Sequence, residues 1–410
     1  MLDRPIELNN LLAEYRSGLA MPRGFYASQE IYEFDIAAVW NRNWIWVGHQ
    51  SQIPEPGDYF LFDYGPESII VVRDRQGEIR AHLNVCRHRG SRVCTETTGK
   101  ARVFVCPYHA WTYELSGHLR AGREMGPDFQ PEEWGLFSAR VTVFQGMIFV
   151  CADPDTPALD DALSELAPLT APFGLENLRV AHVATYPVPA NWKLAVENYL
   201  ECYHCGPAHQ DYSRSHSLKS PKEMQALLEP MQARACEMGL PNTVLDLSGD
   251  AAMSPHNAIY YRRYPLCASY QTGSKTGAAL APLLGNLSGF DGGATDLMIG
   301  YLNSFLVYSD HLVGYRFIPR ELQQTEIQVV WMVRGGAEEG IDYSTDDLTW
   351  LWHVTSLDDE RIIRNNQLGV NSHFFQPGPL AEMETAVQSF YQFYMHMVGA
   401  DAESRKTANG

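Results

Sequence analysis

The sequence predicts an α+β chain of two domains, with a small all-β domain set inside a larger domain of mixed helix and strand. Three observations predict it. The chain has 410 residues, too many for one ordinary core. Short strand-like runs crowd together between Trp44 and Asp153. Long helical patterns occur only outside that stretch, above all in TDDLTWLWHVTSLDDERIIRNNQ. With 45% apolar and 20% charged residues, the composition is that of a globular protein and excludes disorder and collagen.

Taken in order, the first element is a helix that Ser28 can cap, with Ile31, Phe34, Ala38 and Val39 at helical spacing. DYFLFDY then reads as a strand, and SIIVVRD and EIRAHLNV read as a hairpin about Arg75, Gln76 and Gly77. RVFVC, WTYEL and VTVFQGMIFV continue the β pattern, and the Pro- and Asp-rich DPDTPALDD marks a boundary. The division is therefore residues 44–153 for the β domain, and 1–43 with 154–410 for the larger one. NWKLAVENYLECYH predicts a helix ended by Gly206 and Pro207. HLVGYRFIP and TEIQVVWMV read as strands, and the long helix that follows takes Thr345 as its N-cap. Residues 231–304 show no assignable periodicity.

Lys and Arg number 31 against 49 Asp and Glu, a formal charge of −18 that repels nucleic acid and anionic lipid. No apolar run approaches the ~18 residues of a membrane span, and MLDRPIELNN lacks the apolar stretch of a secretory signal. A cytoplasmic enzyme is expected. Its eight cysteines are too sparse for a disulfide scaffold, and those beside histidines read as metal ligands.

Two Cys-His pairs stand in the β domain, Cys86-Arg-His88 and Cys106-Pro-Tyr-His109. Two thiolates and two imidazoles can hold one zinc tetrahedrally. They can also hold a two-iron cluster, thiolates on one iron and imidazoles on the other. Zinc fingers group Cys with Cys and His with His, so this order favours the cluster.

CRHRG and CPYHAW resemble the Rieske domain of the Rieske non-haem iron oxygenases, large catalytic subunit. The resemblance implies that Cys86 and Cys106 ligate one iron of a [2Fe-2S] cluster, and His88 and His109 the other. Respiratory Rieske proteins carry a further cysteine in each loop, and CPYHAW has none.

Glu201, His204 and His209 form a second constellation within ENYLECYHCGPAH. Two histidines and a carboxylate make a facial triad for non-haem Fe(II), with positions left open for oxygen and substrate. Glu201 could be that carboxylate, but the long helix offers Asp358 and Asp359. On a wheel of ~100° per residue, Asp359 lies about 20° from the centre of the apolar face and Asp358 about 80°. A buried carboxylate must be paired or metal-bound, so Asp359 is the expected ligand.

NWKLAVENYLECYHC is similar to the same family's catalytic motif, acid-x2-His-x4-His. LDDERIIRNNQLGV resembles its C-terminal motif, with Asp359 eight residues before Gln367. The resemblance implies an antiparallel-sheet, helix-grip-like catalytic domain with a mononuclear Fe(II) at His204, His209 and Asp359. Many ring-hydroxylating members have Asp where this chain has Glu201. Glu there resembles the subgroup that oxidises quaternary ammonium compounds such as carnitine and betaine.

The resemblance further implies a terminal oxygenase that uses O2 on a small substrate. Electrons come from NAD(P)H through a separate flavin and iron–sulfur reductase, since no Gly-rich nucleotide fingerprint is visible here. Hydroxylation of an N-methyl group, with loss of formaldehyde, is the expected reaction. Aromatic-ring (di)oxygenation is the alternative, and a plain Rieske electron carrier or a zinc-stabilised interaction protein are less well supported. A homotrimer is implied, in which Glu201 joins the two metal centres across a subunit boundary. Tyr199, Tyr203, Tyr301, Phe305, Tyr308, Tyr315 and Phe317 could line a substrate pocket, although core packing is the plainer role for most. Cys202 and Cys205 read as packing or supporting residues beside His204. Asp310-His311 reads equally as a supporting pair, an exposed turn or a satisfied core pair.

Overall fold

The computed structural model describes residues 4–216, 221–247, 256 and 258–408. The chain divides into two compact units, Asn41–Thr156 and Met1–Trp40 with Pro157–Gly410.

The first unit is all β. Its main sheet has seven antiparallel strands in the spatial order Ile45–His49, Met147–Cys151, Ser138–Phe144, Ile79–Leu83, Glu67–Arg73, Asp58–Tyr64 and Thr98–Lys100. The predicted hairpin is present, with Val71 opposite Ala81. RVFVC and WTYEL contribute only Phe104–Val105 and Thr112–Tyr113, which pair in a separate three-stranded sheet with Leu119–Ala121. Their strands are short because the loop between them folds back, with Ala110 in the left-handed region at φ 58°. The core beneath both loops holds Cys86, Cys106, Trp111 and Tyr113 among apolar neighbours.

The second unit is built on another seven-stranded antiparallel sheet. Its order is Leu178–Val188, Gln324–Arg334, Leu312–Glu321, Ser304–Val307, Gly293–Ile299, Ile259–Pro265 and Leu245–Asp246. The helix Thr345–Val370 packs on the strands Leu178–Val188 and Gln324–Arg334, and the helix Trp192–Leu200 packs against that helix. Leu312–Glu321 is buried over most of its length. By contrast Ile259–Pro265 alternates between buried and partly open residues. Strands of that kind have one face in the core and the other free for different work.

Several helix boundaries differ from the sequence reading, each for a local reason. Ser28 does begin the helix Gln29–Asp35, but its hydroxyl donates to Glu7 Oε2 at 2.6 Å instead of capping it. Ser344, not Thr345, caps the long helix, its Oγ accepting from Asp347 N at 3.4 Å. The helix beginning at Trp192 stops at Leu200, and Glu201 is extended at φ −128°, ψ 147°. Glu201 and His204 therefore do not share a helix face. Glu201 Oε2 accepts from the backbone N–H groups of Tyr203 and His204, the latter at 3.1 Å. A carboxylate that captures local donors in this way competes with the helix ladder and turns the chain. Gly206 and Pro207 lie inside the short helix Cys205–Ala208.

The relative setting of the two helices is fixed by buried amides. Asn191 caps its helix by accepting from Lys193 N, and Asn191 N donates to Gln367 Oε1 at 2.8 Å. Asn191 Nδ2 donates to Leu322 O at 2.9 Å. Beside this joint Lys193 and Asp35 form a fully buried ion pair, and Asp35 also accepts from Tyr394 Oη at 2.6 Å. Burial acts against both charges, pushing the Asp35 carboxyl up and the Lys193 ammonium down. Removing one partner leaves the other charged and unpaired. Asp35→Ala is therefore expected to destabilise this unit by about 3–5 kcal/mol in a denaturant titration. Lys193→Met with Asp35→Leu together should recover much of that loss, because the desolvation cost goes with the pair.

Candidate metal centres and substrate cavity

In the β unit, Cys86 and Cys106 are buried and carry free thiols. Each sits in a tight turn closed by main-chain bonds: Gly90 N donates to Cys86 O and Ala110 N to Cys106 O. The rings of His88 and His109 meet edge to face with centroids 4.6 Å apart, and Trp111 stacks on His88 at 5.0 Å. Tyr113 Oη lies 3.2 Å from Cys86 Sγ. His109 Nδ1 is buried without a hydrogen-bond partner, a nitrogen left for a ligand. Among the described residues, the one set of three or more such ligand atoms within 4.8 Å of one another lies elsewhere. Thiol lies beside thiol and imidazole beside imidazole, the grouping that a two-iron cluster uses.

That closer set is His204, His209 and Asp359, all in the larger unit. His204 Nε2 and His209 Nε2 are 3.0 Å apart. Asp359 Oδ1 lies 3.0 Å from His209 Nε2 and 3.3 Å from His204 Nε2. Behind His204, Nδ1–H donates to Glu201 Oε1 at 2.6 Å, which aims Nε2 at His209 and Asp359, where a bound metal would take the place of its proton. Behind His209, Asp358 Oδ2 stands 3.5 Å from Nδ1. Asp359 Oδ1 is buried with no well-directed hydrogen bond. Three potential ligand atoms thus converge, with the Asn198 amide 3.4 Å from His204 Nε2, and two imidazoles with one carboxylate fit a divalent iron. The local charge agrees. Burial works against a cation at His204, but Asp359 and Glu201 outweigh it and raise that pKa to about 10. Burial likewise works against a charge on Asp359, yet the two histidines hold its carboxyl below the usual range.

The apolar-face argument picks out the acid that meets both histidines, and Asp358 points instead at the rear of His209. Glu201 supports His204 rather than joining the set.

A cavity of about 380 Å³ opens on these atoms. Its floor is one face of the sheet, where every second residue projects inward: Tyr260, Arg262 and Tyr264 from one strand, then Asp296, Leu306 and Tyr315 from the next three. Arg262 stands opposite Asp296 in the antiparallel register, and Asp296 opposite Leu306. The long helix crosses above and presents Trp352, Thr355 and Asp359 at i, i+3 and i+7. Tyr199, Cys202, Cys205, Tyr212 and His216 complete the walls. Cys205 Sγ touches Cys202 Sγ at 2.7 Å. Burial pushes the His216 imidazole down to about 3, so this ring is neutral, and its Nε2 meets Tyr308 Oη at 2.6 Å.

Of the seven aromatic candidates, only Tyr199 and Tyr315 line the cavity. Tyr203 is exposed, Tyr301 stacks on Phe393, and Phe305 is core. Phe317 stacks behind Tyr315. Asp310 and His311 are a buried pair, bonded at 2.7 Å, away from the cavity. The sequence reading missed Tyr260, Arg262, Tyr264 and Asp296. Their only signal was the alternation in IYYRRYP, in which the inward residues are polar or aromatic.

Comparison with known proteins agrees with this geometry. Residues 43–144 match the Rieske [2Fe-2S] domain. Residues 175–400, more than half of the chain, match the ring hydroxylating alpha subunit (catalytic domain). The glycine betaine monooxygenase oxygenase subunit of Pseudomonas aeruginosa is 33% identical over 394 residues, 94% of this chain and 90% of that protein. That of Chromohalobacter salexigens is 34% identical over 399 residues, 94% of this chain and 87% of that one. The crystal structure of the quaternary ammonium Rieske monooxygenase CntA with an inhibitor superposes with a TM-score of 0.71 at 22% identity, covering 97% of this chain and 99% of that chain. Among the described residues no helix is long and apolar enough to cross a membrane. Sequence motifs, sheet architecture and full-length similarity converge, and the chain belongs to the Rieske non-haem iron oxygenases as a large, catalytic subunit.

Proposed function

We propose that the chain is the terminal oxygenase of a two-component system that removes a methyl group from a small trimethylammonium compound of the betaine type. The observation that carries this is the 33–34% identity, over 94% of the chain, to two glycine betaine monooxygenase oxygenase subunits. The cavity supports it, since its tyrosine and tryptophan faces can replace the hydration of a quaternary cation.

In this reading Cys86, Cys106, His88 and His109 hold the cluster, and His204, His209 and Asp359 hold iron. The iron, when bound, supplies O2 activation with electrons delivered by a separate reductase. The chain's own residues do the rest. Glu201 keeps the proton of His204 on Nδ1 and so keeps Nε2 free for the metal. The aromatic walls hold a methyl group toward the metal atoms and limit water. Insertion of one oxygen atom into an N-methyl C–H bond consumes O2, two electrons and two protons and releases water. The resulting N-hydroxymethyl group loses formaldehyde and a proton, leaving a tertiary amine.

Glu201 would also carry electrons to the iron from His109 of the partner subunit in a trimer. Both of its oxygens are already engaged within their own loop, so such a bridge uses a remaining lone pair of the carboxylate.

The test is a substrate screen with NAD(P)H and a surrogate reductase, read as formaldehyde release. Betaines are expected to turn over. Oxidation of a neutral aromatic hydrocarbon, with none of the betaines, would overturn this reading. The ligand assignment has its own check. Asp359→Ala should lose the mononuclear iron and reduce turnover to background. Asp358→Ala should keep the iron and lose about 10–100-fold, as expected for a group behind a ligand. The reverse ranking in iron content would exchange their roles.

A further inference from the structure

The cavity floor carries two opposite charges, and the proposed chemistry does not use either. Asp296 and Arg262 are directly paired across neighbouring strands and both face the cavity. Arg262 attracts Asp296 and hydrogen-bonds Tyr260, and among the described residues no closed salt bridge joins Arg262 and Asp296. Asp296 is surrounded by rings. Burial raises the hydroxyl pKa of Tyr199, Tyr260 and Tyr264, all of which line the cavity, and the charge of Asp296 adds to the rise at each. Burial pushes the Asp296 carboxyl itself up to about 6, against the pull of Arg262. The acid is therefore held at a cost that a cation brought into the cavity would offset. Arg262 is the more exposed of the two and lies toward solvent.

From this we infer that Asp296 and Arg262 together read a zwitterion. Asp296, with the tyrosines around it, takes the trimethylammonium end, and Arg262 takes a carboxylate. This rests on the proposed function and deepens it, by assigning the residues that recognise the two ends of a betaine-type substrate. The physical basis is a difference in affinities. A cation without a carboxylate leaves Arg262 unanswered, and an anion without the cation leaves Asp296 facing a neutral group. A guanidinium pairs with a carboxylate through two parallel hydrogen bonds, which adds direction to the charge. Both residues are specificity determinants and neither supports the iron.

Three probes of nearly one shape separate the two ends. Glycine betaine carries both charges, choline only the cation, and 3,3-dimethylbutanoate, the carbon analogue of betaine, only the anion. Binding is measured by calorimetry on the iron-loaded protein without reductant. Asp296→Asn is expected to weaken glycine betaine and choline at least tenfold and to leave 3,3-dimethylbutanoate unchanged or tighter. Arg262→Gln is expected to weaken glycine betaine and 3,3-dimethylbutanoate at least tenfold and to spare choline. Asp296→Glu, which keeps the charge, should preserve the order of the three ligands. Iron content and the cluster's visible absorption verify that each variant is intact. Equal weakening of all three ligands, or of none, overturns the inference. That outcome is distinct from failure of the proposed function, in which the unaltered enzyme releases no formaldehyde from any trimethylammonium compound.

Discussion

Replacing His209 with alanine removes the mononuclear iron and leaves the protein red-brown. Iron content should fall from about three atoms per chain to about two, the pair that belongs to the cluster. Product formation should fall to background. His209 is almost wholly buried and its Nε2 lies 3.0 Å from both His204 Nε2 and Asp359 Oδ1, so it stands at the centre of the set. Alanine leaves one imidazole and one carboxylate, too few to hold Fe(II) with positions still open for oxygen and substrate. The cluster residues lie between 86 and 109, in the other compact unit, and should be untouched. Elemental analysis, with the EPR signal of the reduced cluster as internal control, decides it. Retention of three irons with normal turnover would show that the metal sits elsewhere.

Glu201→Gln is expected to separate binding from turnover. Glutamine is nearly isosteric, and its oxygen can still accept from His204 Nδ1, where Glu201 Oε1 now accepts at 2.6 Å, while its NH2 group gives up the two backbone N–H bonds that Oε2 accepts. Both metal centres should remain and the cluster should still accept electrons. Loss of the carboxylate's charge behind a ligand costs about 10–100-fold by itself. If Glu201 also carries electrons toward the iron, the effect is larger and has its own signature. A pre-reduced cluster should then stay reduced when substrate and O2 are added, whereas in the unaltered enzyme it reoxidises. Reoxidation at the normal rate together with normal product would limit Glu201 to holding its loop. An active monomer would remove the path between subunits.

The convergence of His204, His209 and Asp359, the residues proposed to hold iron, was legible in the sequence because their chemistry leaves few other roles. An acid at the centre of an apolar helix face needs a partner, and Asp359 finds two imidazoles. The conformation around them was less legible. Positions 201 and 204 are neighbours on a helix, but they are also neighbours in the turn that Glu201 makes by capturing the N–H groups of Tyr203 and His204. Spacing alone does not separate the two cases. The cavity floor was the hardest part to read. Strands are recognised by apolar alternation, and here the inward residues are Tyr260, Arg262, Tyr264 and Asp296, so the pattern is hidden where the substrate would lie. The outward partners, Tyr261 and Arg263, are buried, and Arg263 is held by Asp291 through contacts of 2.5 and 2.6 Å.

The same alternation has a consequence for how such an enzyme diverges. Along Ile259–Pro265, odd-numbered positions anchor the sheet and even-numbered positions line the cavity. A point change at 260, 262 or 264 can alter what the cavity accepts while the Arg263–Asp291 anchor stays in place. Such changes should seldom approach the stability threshold that removes most mutations. A single-residue insertion within the strand would do the opposite, turning both faces over at once and losing anchor and selectivity together. New substrate ranges on this scaffold are therefore expected to arise through substitutions at alternate positions, with the length of the strand held constant.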